Sequence, residues 1–373
     1  MKLLFVVNSL DFFLSHRLEI AIAAYKAKYE VHVLTFDGGN QVEISKNEFK
    51  LHSLNFKRKK LSFFNEILIF FYTIKIFYKY KPDIVHLITL KPIIYGGMIS
   101  KILSVKAVVI AFSGLGTIFT RGNNNYFFIK FLTINLLKII FYKKNKLKVI
   151  FQNKDDQSLI KKLTKLNDNN SLIIRGSGVN LSKFKNLNFN NNRFVISMIS
   201  RFLINKGVIE FIESSKTLKI KYPKIIFRLV GSLDSGNPES LNQDQLEILK
   251  KDKNLEIIEN SKDIISIINQ SEIIVLPSYR EGLPKVLLEA SACEKPIVTT
   301  NVPGCRDIVL DKITGMLAEP YNSLDLANKI EYLVLNKALR LQMGINGRKR
   351  VKEKFSIDYV ISSHLNLYKD ILR

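Results

Sequence analysis

Apolar runs of strand length alternate with amphipathic stretches of helix length along the whole chain. In the first half the runs are Leu3–Val7, Val31–Phe36, Ile84–Ile88, Ala107–Ala111, Val149–Phe151 and Leu172–Ile174. Most are unbroken, which predicts strands of a parallel sheet covered by helices on both faces. The polar, aperiodic stretch Asn186–Asn192 (NLNFNNN) then reads as a linker. The pattern restarts with Phe194–Ser200, Ile225–Gly231, Leu255–Ile258, Ile273–Leu276 and Pro296–Thr300, and from Ser323 onward it is helical. The prediction is an α/β chain of two Rossmann-like, doubly wound domains, 1–185 and 193–355, with a closing helix at about 356–373 packing back on the first. In such pairs the ligand crevice opens between the domains, at the carboxyl ends of the strands.

The length of 373 residues agrees with two or three domains. A hydrophobic fraction of 47% with 24% charged residues excludes a disordered or fibrous chain. Two cysteines, Cys293 and Cys305, are too few for a disulfide framework, so a cytoplasmic address fits. The five histidines show no zinc-site spacing. The longest uncharged run, Ala107–Thr120, has fourteen residues and two glycines, against the roughly 20 apolar residues of a membrane span. The opening MKLLFVVNSL meets Asp11 at once and reads as a first strand, not a signal peptide.

Charge changes the picture. The net charge is +24, and residues 1–185 hold 30 Lys and Arg against 11 Asp and Glu, while residues 186–373 hold 27 against 22. A Lys-, Asn- and Ile-rich composition of the kind an AT-rich genome produces explains part of the lysine count, but not its concentration in one half. Nucleic acid, an anionic membrane surface and a polyanionic substrate are the partner classes such a field attracts. Two stretches, Lys60–Lys81 and Tyr126–Lys146, predict long aromatic-rich helices with basic ends. In the first, Phe63, Ile67, Phe70, Ile74 and Phe77 recur at helical spacing. Alone, each suits a core-packed helix with a solvated edge as well as a membrane-surface helix. The pair together favours contact with anionic lipid.

Candidate chemistry lies in the second half. SRFLINKGV (Ser200–Val208) follows a strand and precedes a helix expected near Gly207. Arg201 and Lys206 form a positive pair beside a helix start, with Gly207 allowing close backbone approach, as a diphosphate requires. PSYREGLPKVLLEASACEKPIV (Pro277–Val298) follows a buried strand. There Gly282 and Leu283 make a tight loop, Pro284 suits the first helical position, and Lys285–Ala292 continues as a helix. Glu281 and Glu289 flank this start, placed to accept hydrogen bonds from hydroxyls of a sugar or ribose. Either carboxylate alone would be an ordinary surface residue; the constellation is more specific.

These motifs, with TTNVPGCRDIV downstream, resemble the retaining glycosyltransferases of family 4, which have the two-domain GT-B fold facing across a crevice. FFLSHRLEIA (Phe12–Ala21), VHLITLKPIIYGG (Val85–Gly97) and AFSGLGTIFT (Ala111–Thr120) are similar to bacterial enzymes that extend polyprenyl-diphosphate-linked glycans for O-antigen, capsule or N-glycan precursors. The resemblance implies a nucleotide-sugar donor, expected to be a UDP-sugar, and a lipid-linked glycan acceptor. It implies that Arg201 and Lys206 bind the diphosphate, that Glu281 contacts the donor sugar and that Glu289 holds the ribose. Gly282, Leu283, Lys285 and Val286 would border sugar and phosphate, with Gly207 beside them. Gly231 and the Lys262–Ile264 region would border the base. His86, read at the end of a strand, matches a place where relatives keep a histidine near the donor sugar.

The loop after the first strand, NSLDFFLSHR, lacks the Gly-Gly pair common in the family. His16 and Arg17 are expected to face the acceptor phosphate or the donor there. No Asp-x-Asp triplet occurs in the sequence, so no cofactor and no metal are expected, with Arg and Lys doing a cation's work. The expected location is the inner face of the cytoplasmic membrane, peripherally bound. Two other readings stand beside this one. A nucleotide-sugar 2-epimerase shares the architecture but lacks the Glu281/Glu289 loop in this form. A non-catalytic basic scaffold on membrane or nucleic acid fits the charge but leaves both motifs without use, so no nucleic acid partner is expected.

Overall fold

The structure is a computed structural model and describes residues 1–37, 48–54, 63–119, 127–142, 146–187, 193–234 and 236–373. Most of the Asn-rich stretch (188–192) lies outside the described residues, as do the outer ends of the two aromatic-rich stretches (60–62, 126 and 143–145). The chain forms two compact units, Met1–Ser177 with Asp358–Arg373, and Gly178–Ile357. Residues 178–187 belong with the second unit, where Val179 and Phe184 enter its core.

The first unit runs β1 (Lys2–Val7), α1 (Leu10–His16), α2 (Leu18–Lys26), β2 (Glu30–Thr35), β3 (Lys50–Ser53), α3 (Phe63–Tyr80), β4 (Ile84–Ile88), α4 (Leu90–Ile102), β5 (Ala107–Ala111), α5 (Phe127–Phe141), β6 (Leu147–Phe151), α6 (Lys154–Thr164) and β7 (Ser171–Ile173). Its seven strands are parallel, in the order β3-β2-β1-β4-β5-β6-β7. Side chains alternate across the sheet. Leu3, Phe5 and Val7 join one core, Leu4 and Val6 the other. The closing helix α14 (Ile357–Leu372) buries Val360, His364, Leu367, Tyr368 and Ile371, a helical stripe in the first unit's core.

The second unit runs β8 (Val195–Ile199), α7 (Val208–Lys221), β9 (Ile226–Gly231), α8 (Gln243–Lys250), β10 (Leu255–Glu259), α9 (Ile264–Gln270), β11 (Ile273–Leu276), α10 (Lys285–Ala292), β12 (Ile297–Thr300), α11 (Cys305–Ile308), β13 (Gly315–Ala318), α12 (Ser323–Leu335) and α13 (Lys337–Lys354). Its parallel sheet has the order β10-β9-β8-β11-β12-β13. In both sheets the order reverses beside the first strand of the unit. There two neighbouring loops diverge and leave room for a ligand at the carboxyl edge.

Two strands escape the apolar pattern. KLHS of β3 buries one residue of four, His52, and GMLA of β13 is four residues opened by glycine. Both are sheet edges; partial cover removes the need for an apolar run in β3, whereas β13 is buried at three of its four residues and is simply short. The long helices differ in their faces. In α3 the buried positions are Ile69, Thr73, Ile76 and Phe77, while Ile67 is exposed and Phe70 and Ile74 are half-buried. The helix is apolar nearly all round, so spacing alone does not choose its inner face.

Four buried histidines lie in the first unit: His32, His52, His86 and His364. Burial lowers the pKa of each, to about 4 for His52 and about 3 for His364. They are neutral in the folded chain, whereas the unfolded chain takes up protons near pH 6.5. Their contribution to stability is therefore complete above about pH 6.5 and is lost as pH falls towards 4. Thermal unfolding at pH 5.0 is expected at least about 3 °C below that at pH 7.5, the shift that roughly 1 kcal/mol gives in a unit of this size. Equal midpoints would contradict the assignment.

Candidate functional site

The second unit's site begins where β8 ends. Ser200 N still bonds Val230 O at 2.9 Å, and Phe202 N bonds Ser232 O at 2.9 Å. The chain then turns through Ile204–Lys206 into Gly207, whose φ is 79°. A Cβ on Gly207 would lie 2.1 Å from Pro277 O. Only glycine permits both the left-handed backbone and this approach, and α7 starts at the next residue.

The approach ties together the loops after β8 and β11. Asn205 O accepts from Tyr279 N at 3.0 Å and from Ser278 Oγ at 3.1 Å. The stitch puts the Lys206 ammonium on the Glu281 carboxylate. The two side chains are only 20% and 10% exposed, so the pair is largely out of water. Arg201 is half exposed, and one of its guanidinium nitrogens donates to Asp234. Asp234 N is itself held by Ser240 Oγ at 3.0 Å. An Arg has five donors, so this tether orients the group without using up its capacity for an anion.

Around Glu281 the loop is tight. Glu281 N donates to Pro303 O at 3.3 Å, and Gly282 and Leu283 are buried. Pro284 is the N-cap of α10, with φ −70° and ψ 119°, not its first helical residue. The extended ψ is what a cap adopts, and a missing N–H costs nothing there either. Lys285 and Val286 form the first turn, half-buried. Glu289 follows one turn later and is 8% exposed, with Lys285 Nζ at 3.3 Å. Burial raises its carboxyl pKa, against the opposing pull of Lys285 and Lys183. A buried carboxylate with one long ion-pair contact has unused acceptor capacity, which ligand hydroxyls can fill.

Gly231 closes β9. A Cβ there would fall 1.8 Å from Ser200 O, and its own carbonyl accepts from Asn260 N at 2.8 Å. Asn260 leads directly to exposed Lys262 and half-buried Ile264, the latter opening α9 behind an Asp263 cap. The structure thus brings Arg201, Lys206, Gly207, Gly231, the 262–264 segment, Glu281 and Glu289 to the carboxyl edge of one sheet.

Four participants escape sequence reasoning: Asp234, Tyr279, Glu210 and Tyr321. Asp234, which holds Arg201, sits in an irregular loop. Tyr279 donates to Glu210 Oε1 at 2.7 Å and packs on Tyr321 with ring centroids 3.9 Å apart. Burial, and then the bond to Glu210, raises the Tyr279 pKa. Tyr279 lies inside the SYREG motif, which was the available signal; Glu210 and Tyr321 carry none.

In the first unit the expected residues separate. His16 ends α1, half-buried, stacked on Phe12 at 4.3 Å, with Nδ1 2.7 Å from Ser15 Oγ. Arg17 turns inward and is 3% exposed, donating to His16 O at 2.9 Å and to Ser113 Oγ at 3.4 Å. Burial lowers its pKa to about 10. His86 is not at a strand end. It is the third residue of β4 and fully buried, with Nδ1 2.7 Å from Tyr368 Oη, Phe5 at 5.3 Å and His364 at 5.6 Å between ring centroids. This core imidazole packs the sheet against α14, and its Nε2 is buried without a hydrogen-bond partner. The strand ends at Ile88. Among the described residues no cluster of His, Cys, Asp and Glu could hold a metal ion.

Comparison with known proteins agrees with this arrangement. Two family models match the chain, "Glycosyl transferase 4-like" over residues 2–153 and "Glycosyl transferases group 1" over residues 179–350. The chain is 32% identical to the Staphylococcus aureus capsular polysaccharide biosynthesis glycosyltransferase CapM over 49% of its length, and it spans about half, 48%, of that relative. It is 29% identical to the Campylobacter jejuni N,N'-diacetylbacillosaminyl-diphospho-undecaprenol alpha-1,3-N-acetylgalactosaminyltransferase, covering 70% of this chain and 69% of that one. Among solved structures, that of Anabaena HepE in complex with UDP and glucose superposes with a TM-score of 0.78 at 17% identity, over 99% of this chain and 100% of that one, a likeness of fold. With the two models together reaching from residue 2 to residue 350 and two Rossmann-like units beneath them, the chain belongs to the family 4 glycosyltransferases of the GT-B fold.

Proposed function

We propose that this glycosyltransferase is a retaining enzyme of cell-surface polysaccharide biosynthesis. It moves a hexosyl or N-acetylhexosaminyl group from a UDP-sugar to a polyprenyl-diphosphate-linked glycan. The observation that carries the reading is the gathering of Arg201, Lys206, Glu281 and Glu289 at one sheet edge, with Lys206 seated on Glu281. The acceptor class is the one on which the Campylobacter jejuni relative acts by its name, and the nucleotide is that of the HepE complex.

In this reading the Glu289 carboxylate accepts hydrogen bonds from the ribose hydroxyls, which relieve its burial. The positive end of the α10 dipole and the Arg201 guanidinium face the diphosphate. Lys206 joins them and neutralises the charge that grows as the sugar–phosphate bond lengthens. Glu281 positions the ammonium and borders the donor sugar. The acceptor hydroxyl attacks the anomeric carbon as the diphosphate leaves, with configuration kept through a same-face substitution or a short-lived adduct. The cationic side chains supply the leaving-group stabilisation, so the scheme invokes no metal.

The enzyme is further proposed to sit on the inner face of the cytoplasmic membrane. No described helix is long and apolar enough to cross a membrane. The outward face of α3 nevertheless carries Phe64, Ile67, Leu68, Phe71 and Tyr78 with Lys75 and Lys79, and the first turns of α5 expose Phe127, Phe128, Ile129, Phe131 and Leu132. Aromatic stripes among lysines suit insertion at the level of anionic head groups.

Arg201→Ala and Lys206→Ala are each expected to lower kcat about 10²–10³-fold, the cost of removing one preorganised charge-stabilising donor, with the far-UV circular dichroism unchanged. Near wild-type turnover in a folded variant would contradict the diphosphate assignment. In co-sedimentation at low salt, the protein is expected to bind vesicles containing anionic lipid, and Phe71→Glu with Phe128→Glu to abolish it. Equal sedimentation of the double variant, or none by the wild type, would overturn the membrane reading.

A further inference from the structure

Glu210 lies in the first turn of α7. Its Oε1 accepts from the Tyr279 hydroxyl at 2.7 Å. The same tyrosine donates its backbone N–H to Asn205 O at 3.0 Å. One residue of the loop after β11 therefore grips the start of α7 at two points, Asn205 and Glu210. Between these points lie Lys206, whose ammonium sits on the Glu281 carboxylate, and Gly207, pressed against Pro277 O. Tyr279 thus braces the stretch of chain that carries the paired lysine, and it stands two places before that lysine's partner in sequence.

Two features of this brace cost stability. Glu210 Oε2 is shut away from solvent and has no hydrogen-bond partner. A carboxylate oxygen deprived of both water and a donor is unfavourable, and an apolar side chain would remove that cost. Tyr321 takes a left-handed backbone, φ 63°, although it carries a large side chain. That conformation holds its ring on Tyr279, centroids 3.9 Å apart, while the residue stays 61% exposed. The cover keeps water off the Glu210–Tyr279 bond and strengthens it. Burial, and then this bond, raises the Tyr279 pKa, so the hydroxyl remains a donor. Costs of this kind persist where a site requires them.

We propose that Glu210 is a positioning residue for the Lys206–Glu281 pair. It acts through Tyr279 and not on a substrate. Its carboxylate holds the Tyr279 hydroxyl, Tyr279 holds the start of α7 against the loop after β11, and the Lys206 ammonium is thereby set on Glu281. With an apolar residue at 210, Tyr279 is tied at Asn205 but no longer beyond Gly207, and Lys206 loses its fixed place. What the ammonium does for catalysis rests on the function proposed above; its placement by Glu210 does not.

Placement is read in the full chain by the proton–nitrogen NMR signal of the Lys206 ammonium, identified by its disappearance in Lys206→Arg. An ion pair largely out of water exchanges its protons slowly, so the wild type is expected to show the signal. Glu210→Leu and Tyr279→Phe are each expected to broaden it. Each is also expected to lower kcat about tenfold or more, with the UDP-sugar found by a donor screen and a polyprenyl-diphosphate glycan extract. UDP affinity by calorimetry is expected to stay within about threefold, because Arg201 and Glu289 are untouched. Both variants break one bond, so the double variant is expected to lose no more than either alone. Glu210→Gln keeps the acceptor oxygen and is expected to restore both signal and turnover. The melting temperature of Glu210→Leu is expected at or above that of the wild type, since the unpaired oxygen is gone. A wild-type signal in Glu210→Leu, losses that add in the double variant, no rescue by Glu210→Gln, or a lowered melting temperature in Glu210→Leu would each overturn the proposal. The variant effects on the signal in a wild type that transfers no sugar would keep the positioning role and sink the proposed function; sugar transfer with an unaltered signal in every variant would do the reverse.

Discussion

The candidate donor site depends on the stitch between the loops after β8 and β11. Gly207 lets Pro277 O approach to a distance no side-chain-bearing residue would allow, and Asn205 O fixes Ser278 and Tyr279. Without it Lys206 and Glu281 would belong to separate loops. With it they form an ion pair largely removed from water. Desolvating two charges costs several kcal/mol per ion, and their attraction does little more than repay that cost. The pair therefore contributes little to stability for the precision it requires. Its value lies in position: an ammonium held at a sheet edge, beside a helix start and a second cation, where the proposed function puts the departing diphosphate.

The first unit shows the same economy at its own sheet edge. Its core is conventional, with two apolar layers on a seven-stranded sheet and α14 covering one of them. At the carboxyl ends of the central strands that order stops. Polar atoms go unpaired, a threonine takes a glycine's conformation, and an arginine is buried without an acid. Nearby elements break the rule that apolar residues face inward, since α3 and α5 carry aromatic side chains on their solvent faces as well. Under the proposed function the exposed aromatics of α3 and α5 are the surface that meets anionic lipid.

Much of this was legible in the sequence. The runs at Ile84–Ile88, Ala107–Ala111 and Ile273–Leu276 are strands with those bounds, because strands buried on both faces carry few polar positions to blur them. Lys285–Ala292 is a helix with the expected limits, since a proline precedes it and Glu294 takes a positive φ just after it. The illegible parts share a physical cause. Edge strand β3 needs little apolar surface, and β13 is only four residues long. The inner face of α3 is hidden by apolar residues on its outer face. The resemblance puts His86 at a strand end, yet it lies inside β4, and Tyr368, 282 positions away in sequence, satisfies its Nδ1. Asp234 and Glu210 act through tertiary contacts, which leave no spacing pattern.

The most direct test of the central claim is the stereochemistry of sugar transfer. Purified protein would be incubated with a panel of UDP-, GDP- and TDP-sugars and a polyprenyl-diphosphate-linked glycan extract, and the new glycosidic linkage examined by NMR. The account predicts acceptor-dependent release of UDP from one donor, with the anomeric configuration of that donor preserved in the product. An inverted linkage, or no release from any donor that the protein demonstrably binds, would contradict it.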